Sequence, residues 1–459
     1  MLGVALLALK LWGVDRYDTS LRWRRLQNGQ LQSAMYPRDA IVAEHARLLG
    51  YDVRPQRVAA GDVVSVDLYW MLNKSLPFMT AVRLVDDHGL EWSYKEERMA
   101  TRTNHNPPPA SQDWPVGMYA DVLHTIQVLP GTPPGNYWLI AVPFTLETLE
   151  PLPINAGQPA PGGYPGMILG RLEVVRPSRL TEAAPLDLPP TEMSLGADLA
   201  VVGYSQDQEE AEPGQTMLLV IGWQARRPPQ ADYTLRLELV AADGRTVMQQ
   251  SLAPGGEHYP TSRWMGGETI RSQILAHIPG RTGSGQHYWR VTLLDDAGVQ
   301  TGQAVVGELR IAAPQRVYVP LPVSHQVNTR VGDEFMLIGF DAPLVPVTPG
   351  QAVPVILVWQ ATGETDQNYK VFVHLLDAGG RPVAQSDAVP ANWTRPTSGW
   401  QVGEFVLDRH TLDLKDNLRP GEYRLVAGMY ETESGQRLPV APGGDVVELG
   451  KILVSAPAK

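Results

Sequence analysis

The residues of this chain that could do chemistry are few and scattered. Glu404 and Asp408 stand four apart, and Glu268 matches the first of them in an earlier stretch. A glycosidase needs two carboxylates facing each other at about 5–10 Å. Residues four apart on a strand share one face at roughly 13 Å, which predicts surface positions rather than a catalytic pair. Thr261, Ser262, Thr397 and Ser398 offer hydroxyls, and His374 and His410 occur near the last two. A serine nucleophile needs a base within reach, yet no elbow motif surrounds Ser398. The expectation is a hydroxyl that bonds its own turn backbone. Asp86-Asp87-His88 and Asp295-Asp296 look metal-friendly, but each sits in a hairpin-turn context that favours Asp for turn reasons. Asp207, Glu209, Glu210 and Glu212 read as a solvated acidic loop, because calcium wants about six to eight converging oxygens. There is no HExxH, no phosphate-cradling glycine loop and no dinucleotide fingerprint. No catalytic residue, metal or cofactor is expected.

Aromatic residues are the better candidates. Trp114, Trp264 and Trp400 each follow a turn motif, and a loop-borne indole can stack on a sugar ring or lid the end of a sandwich. Trp393, in ANWTRPTSGW, is the expected exposed aromatic. Sugar recognition needs apolar faces plus a few fixed polar groups. The candidate ligand set is therefore Trp393, Trp400, Trp264 and Trp114 with Glu404 and Asp408.

These residues hang on a frame repeated three times. Gly50, Gly61 and Trp70 have spacings of 11 and 9, as do Gly203, Gly214 and Trp223, and again Gly339, Gly350 and Trp359. Internal repetition outranks other signals. VVSVDLYW alternates, with Val64, Val66, Leu68 and Trp70 on one side, as a half-buried antiparallel strand does. Trp70, Trp223 and Trp359 are accordingly expected in cores. Hairpin turns are expected at Asp87-His88-Gly89, Asp243-Gly244 and Gly379-Gly380. A turn-then-Tyr step recurs as Gly135-x-Tyr137, Gly285-x-x-Tyr288 and Gly421-x-Tyr423. Short strands with turns every 8–12 residues predict an all-β chain of three tandem Ig-like or jelly-roll β-sandwiches.

Bulk properties agree. The 459 residues suit about three domains at ~150 each. Gly 43, Pro 40 and only 19% charged residues favour turns and strands over long polar helices. A net charge of -11 argues against a nucleic-acid partner. Absence of cysteine excludes disulfides, thiolate metal sites and cysteine nucleophiles. Residues 1–31 are expected to be a short apolar helix, an anchor remnant, followed by a connector, so that the chain meets a membrane through its N-terminus. Sandwiches are expected over 44–177, 196–313 and 332–456, with linkers at 178–195 (Pro-rich) and 314–331.

The third repeat carries a resemblance. YKVFVHLLDAGGRPVAQSDAVP, PTSGWQVGEFVLDRHTL and RPGEYRLVAGMYETESGQRLPV together resemble the β-sandwich tail that follows the membrane part of bacterial family-39-type glycosyltransferases. Those enzymes move sugars from a polyprenyl-phosphate carrier outside the membrane. The resemblance implies an accessory, membrane-associated, extracytoplasmic tail whose catalytic membrane domain is absent from this sequence. It implies a membrane glycosyltransferase as partner, and it carries over no catalytic residue. The expected function is a non-catalytic array that binds glycan or cell-envelope polymer. A structural or protein-interaction spacer is the alternative, and a hydrolase hidden in one sandwich the third reading.

Overall fold

The computed structural model describes residues 26–455, apart from 28–29, 32–33, 95–101, 104–110, 115, 117–118, 156–159, 181–184, 345, 392–394 and 433. The expected apolar helix of residues 1–14 lies outside the described residues. So does Trp393. Among the described residues there is no α-helix, and none long and apolar enough to cross a membrane.

Strands β1 (Leu26–Gln27) and β2 (Gln30–Leu31) pair as a small hairpin. The first module uses β3 (Tyr36–Val42), β4 (Ala46–Arg54), β5 (Arg57–Ala59), β6 (Val63–Leu72), β7 (Phe78–Val85), β8 (Arg102–Thr103), β9 (Tyr119–Gln127), β10 (Gly135–Thr145) and β11 (Met167–Val175). The second uses β12 (Pro190–Leu195), β13 (Leu199–Gln206), β14 (Glu210–Ala211), β15 (Thr216–Ala225), β16 (Thr234–Ala241), β17 (Thr246–Leu252), β18 (Thr269–His277), β19 (Gly285–Leu294) and β20 (Gln300–Ile311). The third uses β21 (His325–Val331), β22 (Phe335–Asp341), β23 (Ala352–Ala361), β24 (Tyr369–Leu376), β25 (Pro382–Ala388), β26 (Phe405–Asp413), β27 (Gly421–Glu431) and β28 (Val447–Val454).

Each module stacks two sheets. The first sheets run β3-β4-β6-β9-β8, β12-β13-β15-β18 and β21-β22-β23-β26. The second run β5-β11-β10-β7, β14-β20-β19-β16-β17 and β25-β24-β27-β28. Three separate cores lie between the paired sheets. Most inward-facing residues are apolar, and burying them drives the stacking.

The frame has a geometric cause. Leu48 pairs with Trp70 but Gly50 pairs with Tyr69, so one extra residue bulges between them. The same slip falls between Val201 and Gly203, and between Leu337 and Gly339. A β-carbon on Gly50 would come within 2.7 Å of the Ala34 side chain, and one on Gly203 within 2.8 Å of Leu188. At Gly339 it would collide with the His325 carbonyl and Val323. The incoming chain thus lies against the first frame glycine in all three modules. The second frame glycine holds φ of 89°, 92° and 80° at Gly61, Gly214 and Gly350, which an L side chain rarely adopts. Trp70, Trp223 and Trp359 are wholly buried.

Two expectations need correction. Strands β12 and β21 lie inside the stretches expected to be linkers. They are edge strands with polar residues alternating outward, so PTEMSL and HQVNTRV lack an apolar run. In the second module the buried position equivalent to Tyr137 and Tyr423 is His287, not Tyr288. Tyr137 and Tyr423 donate to the carbonyls of Pro133 and Arg419 at 2.8 Å, four residues back. His287 keeps their place opposite the buried Leu309.

Candidate functional site

The turn-borne tryptophans close the sandwich ends. A 3-10 turn (Ser111–Asp113, Thr261–Arg263, Thr397–Gly399) precedes each one. Trp114, Trp264 and Trp400 are 8%, 2% and 3% exposed, so none offers a ring face for a sugar. Phe78 meets Trp114 edge-on at 5.8 Å, and Phe335 meets Trp400 at 5.5 Å. Trp264 Nε1 donates to the Tyr259 carbonyl at 3.2 Å, and Trp400 Nε1 to Arg395 at 2.9 Å.

The hydroxyl at the head of each turn does not bond its own turn. Ser111 Oγ accepts from Phe78 N at 2.8 Å and donates to the Leu76 carbonyl. Thr261 does the same between Tyr233 N and Ala231 O, and Thr397 between Tyr369 N and Gln367 O. Each hydroxyl therefore ties its turn to the entry of β7, β16 or β24 in the opposite sheet. The expectation of a local turn bond is corrected: the strand entry presents an otherwise unpaired N–H and C=O, and a buried hydroxyl satisfies both.

Glu404 and Asp408 are not surface residues. Both are wholly buried. Glu404 accepts from Gln401 N at 3.0 Å, from Arg316 Nη1 at 2.6 Å and from Arg395 Nη2. Glu268 is its counterpart. It accepts from Met265 N at 2.8 Å, from the Tyr259 hydroxyl at 2.8 Å and from Arg176 Nε at 3.2 Å. Arg176 and Arg316 both belong to the chain entering the module from the one before. Arg316 also donates to the Gly399 carbonyl at 2.8 Å and, on the second module, to the Gly280 carbonyl at 2.7 Å. Arg176 reaches the matching carbonyl of Arg263. Burial opposes the charge on Arg176, but the Tyr259 hydroxyl and Glu268 hold its pKa above the usual value. Each junction is thus pinned by a guanidinium seated on a buried carboxylate.

Further contacts cross the junctions. Arg271 N and Nε donate to the carbonyls of Gly131 and Pro130 at 2.7 and 2.9 Å. Gln273 Nε2 donates to Glu91 O at 2.7 Å. Ser398 Oγ reaches Gly214 O at 3.2 Å, and its short bond to Asn368 Oδ1 leaves it no histidine partner.

Among the described residues, His410 is the histidine that meets a serine hydroxyl. On β26 Asp408 and His410 face inward with Val406 and Leu412. His410 Nε2 lies 2.9 Å from Asp408 Oδ2, and Nδ1 lies 3.0 Å from Ser386 Oγ on β25. Asp408 Oδ1 accepts from Ala391 N at 2.8 Å. β25 and β26 are the edge strands on the same side of their two sheets, so this chain bridges the sandwich at its rim. From sequence alone, His374 and His410 are weighed only beside Thr397 and Ser398, where no nucleophile motif occurs, and Ser386 is not considered. The usable signal was the D-x-H step on a strand, which sets both side chains on one face.

The remaining acids do turn and surface work. Asp86 and Asp295 each accept from backbone N–H groups two and four residues on. Asp87 accepts from Trp138 Nε1 at 2.6 Å, and Arg171 lies 3.8 Å from the centre of the Trp138 ring. Glu210 pairs with Arg310 at 3.3 Å. No group of His, Asp or Glu that could hold a metal occurs among the described residues.

No family model and no curated protein matches this chain. Among solved structures it is similar to Pseudomonas fluorescens alkylpurine DNA glycosylase AlkC bound to DNA containing an abasic site analog. The identity is 15%, over 25% of this chain and 31% of that one, with a TM-score of 0.16. The chain so spans less than a third of that protein, and a likeness at that score carries no argument.

Proposed function

We propose that this protein is an extracytoplasmic spacer, three β-sandwiches held in fixed relation, that serves as the accessory tail of a membrane glycosyltransferase system. The observation that supports the spacer reading is the pair of junction pins, Arg176 on Glu268 and Arg316 on Glu404. A flexible tether has no reason to bury charge at each joint, because desolvation makes an isolated buried charge costly. The motif run of the third repeat supports the tail reading. Glycan capture by Trp114, Trp264 and Trp400 is no part of the proposal, because those indoles are covered.

Crosslinking in the membrane fraction of the native organism tests the partner. The expected product joins this chain to a multi-helix sugar transferase. Capture of other envelope proteins without any transferase overturns the tail reading. Small-angle scattering of the chain tests the spacer: a profile matching one arrangement supports it, and one requiring freely jointed modules removes it.

A further inference from the structure

We propose that Ser386 is a nucleophilic serine, activated by His410 and Asp408, that accepts an acyl group from an ester. This goes beyond the spacer reading and does not depend on it.

The geometry has the required links. Ser386 Oγ lies 3.0 Å from His410 Nδ1, and His410 Nε2 lies 2.9 Å from Asp408 Oδ2. With the ring in its Nε2–H tautomer, Nδ1 is free to accept the serine proton. Asp408 then holds the ring and faces the charge that forms on it. The order of burial also fits. Asp408 and the His410 ring are enclosed, while Ser386 is the partly exposed end, on an edge strand. A base in the interior and a hydroxyl at the rim is the order an acyl acceptor needs.

The second module shows that the fold does not require this chain. Strand register places Gln250, Ile274 and Ser272 where the third module has Ser386, His410 and Asp408. There Ser272 Oγ accepts from Trp223 Nε1 at 2.8 Å. In the first module Val122 fills the position, and Trp70 Nε1 has no acceptor among the described residues. The third module does have an acceptor at that position, yet Trp359 Nε1 is also left without one. The carboxylate is directed at His410 instead. A departure from local satisfaction of this kind is what a functional site leaves in a fold.

In the reaction, Ser386 Oγ bonds to the ester carbonyl carbon as its proton passes to His410 Nδ1. The bond from that carbon to the alcohol oxygen breaks, and the alcohol leaves with the proton from His410. Water then repeats the sequence, releasing the acid and restoring the serine.

The test uses the full chain with a fluorophosphonate probe, followed by peptide mass mapping. The serine oxygen bonds to phosphorus, fluoride leaves, and the proton goes to His410. Selective labelling of Ser386 over the other serines is expected, lost in Ser386→Ala. Asp408→Asn can offer its amide nitrogen to the ring and favour the wrong tautomer. It is expected to slow labelling on the order of 10²-fold or more while the melting curve shows the fold intact. An unlabelled Ser386 overturns the proposal. So does equal labelling in a folded Asp408→Asn chain. If Asp408→Asn does not fold, the selectivity of wild-type labelling decides alone.

Discussion

Arg316 leaves the second module and lays its guanidinium on Glu404 of the third, Nη1 to Oε2 at 2.6 Å, with side chains 9% and 0% exposed. The same cation also holds carbonyls on both modules, at Gly280 and Gly399. One side chain therefore fixes the joint and neutralises a charge buried in the third module.

Breaking that pair should be expensive. Arg316→Met leaves Glu404 with only Arg395 and a backbone N–H, and Glu404→Ala leaves two guanidinium groups facing a void. Removing one partner of a buried pair costs about 3–5 kcal/mol. Denaturant unfolding of the third module should show that loss. Arg176→Met should cost less, because the Arg176 side chain is 30% exposed and Tyr259 still serves Glu268.

Trp400→Ala should act as a core truncation. The indole packs on Phe335 in a closed sandwich end, so a loss of about 3–5 kcal/mol is expected. Binding to any polysaccharide should not change in the fraction that stays folded. A glycan-binding isotherm measured beside a melting curve separates the two effects.

The frame glycines should differ in tolerance. At Gly203 a new methyl meets the Leu188 Cβ at 2.8 Å, on a segment that belongs to no strand and can give as a whole. At Gly339 it meets the His325 backbone, which is held in the β21–β22 ladder. Gly339→Ala should cost about 1–3 kcal/mol or more through overpacking, and Gly203→Ala clearly less. Urea midpoints of the two variants check the order.

Thr397→Val removes the hydroxyl but keeps the volume. It strands the Tyr369 N–H and the Gln367 carbonyl, for a loss of about 1–3 kcal/mol. Thr397→Ser should restore most of it. Equivalent losses at Ser111 and Thr261, read by thermal melts, would show that the three clamps do one job.

Acid should loosen the second and third modules through two histidines. Burial lowers the pKa of His277 and of His374, against the pull of Asp366 and Asp387 respectively. A histidine depressed in the folded state takes its proton first in the unfolded chain. Stability is therefore present above the unfolded pKa of about 6.5, falls as the pH drops below it, and levels off below the folded pKa. Urea midpoints should decline between about pH 7.5 and pH 5.5. His277→Gln should flatten part of that decline.

Much of the fold was legible in residue order alone. The 11-and-9 frame, the buried Trp70, Trp223 and Trp359, and the all-β class follow from short-range rules. Alternation sets which face is buried, a left-handed turn needs glycine, and a bulge needs a residue with no side chain beneath the incoming strand. Each is a constraint between residues a few positions apart, so it leaves a local mark. The edge strands β12 and β21 escaped because half of an edge strand faces water and looks like a linker.

What the tertiary structure decided is everything that joins distant parts. Glu404 and Asp408 read as surface acids because a carboxylate carries no sign of its partner. Arg316 stands 88 residues before Glu404, and Ser386 stands 24 before His410. Pairings over such separations are set by how the sheets stack and how one module enters the next. The chain alone determined three copies of one building block. Only the packing decided that the blocks are bolted together by buried charge, and that one of them holds a serine, a histidine and an aspartate in line.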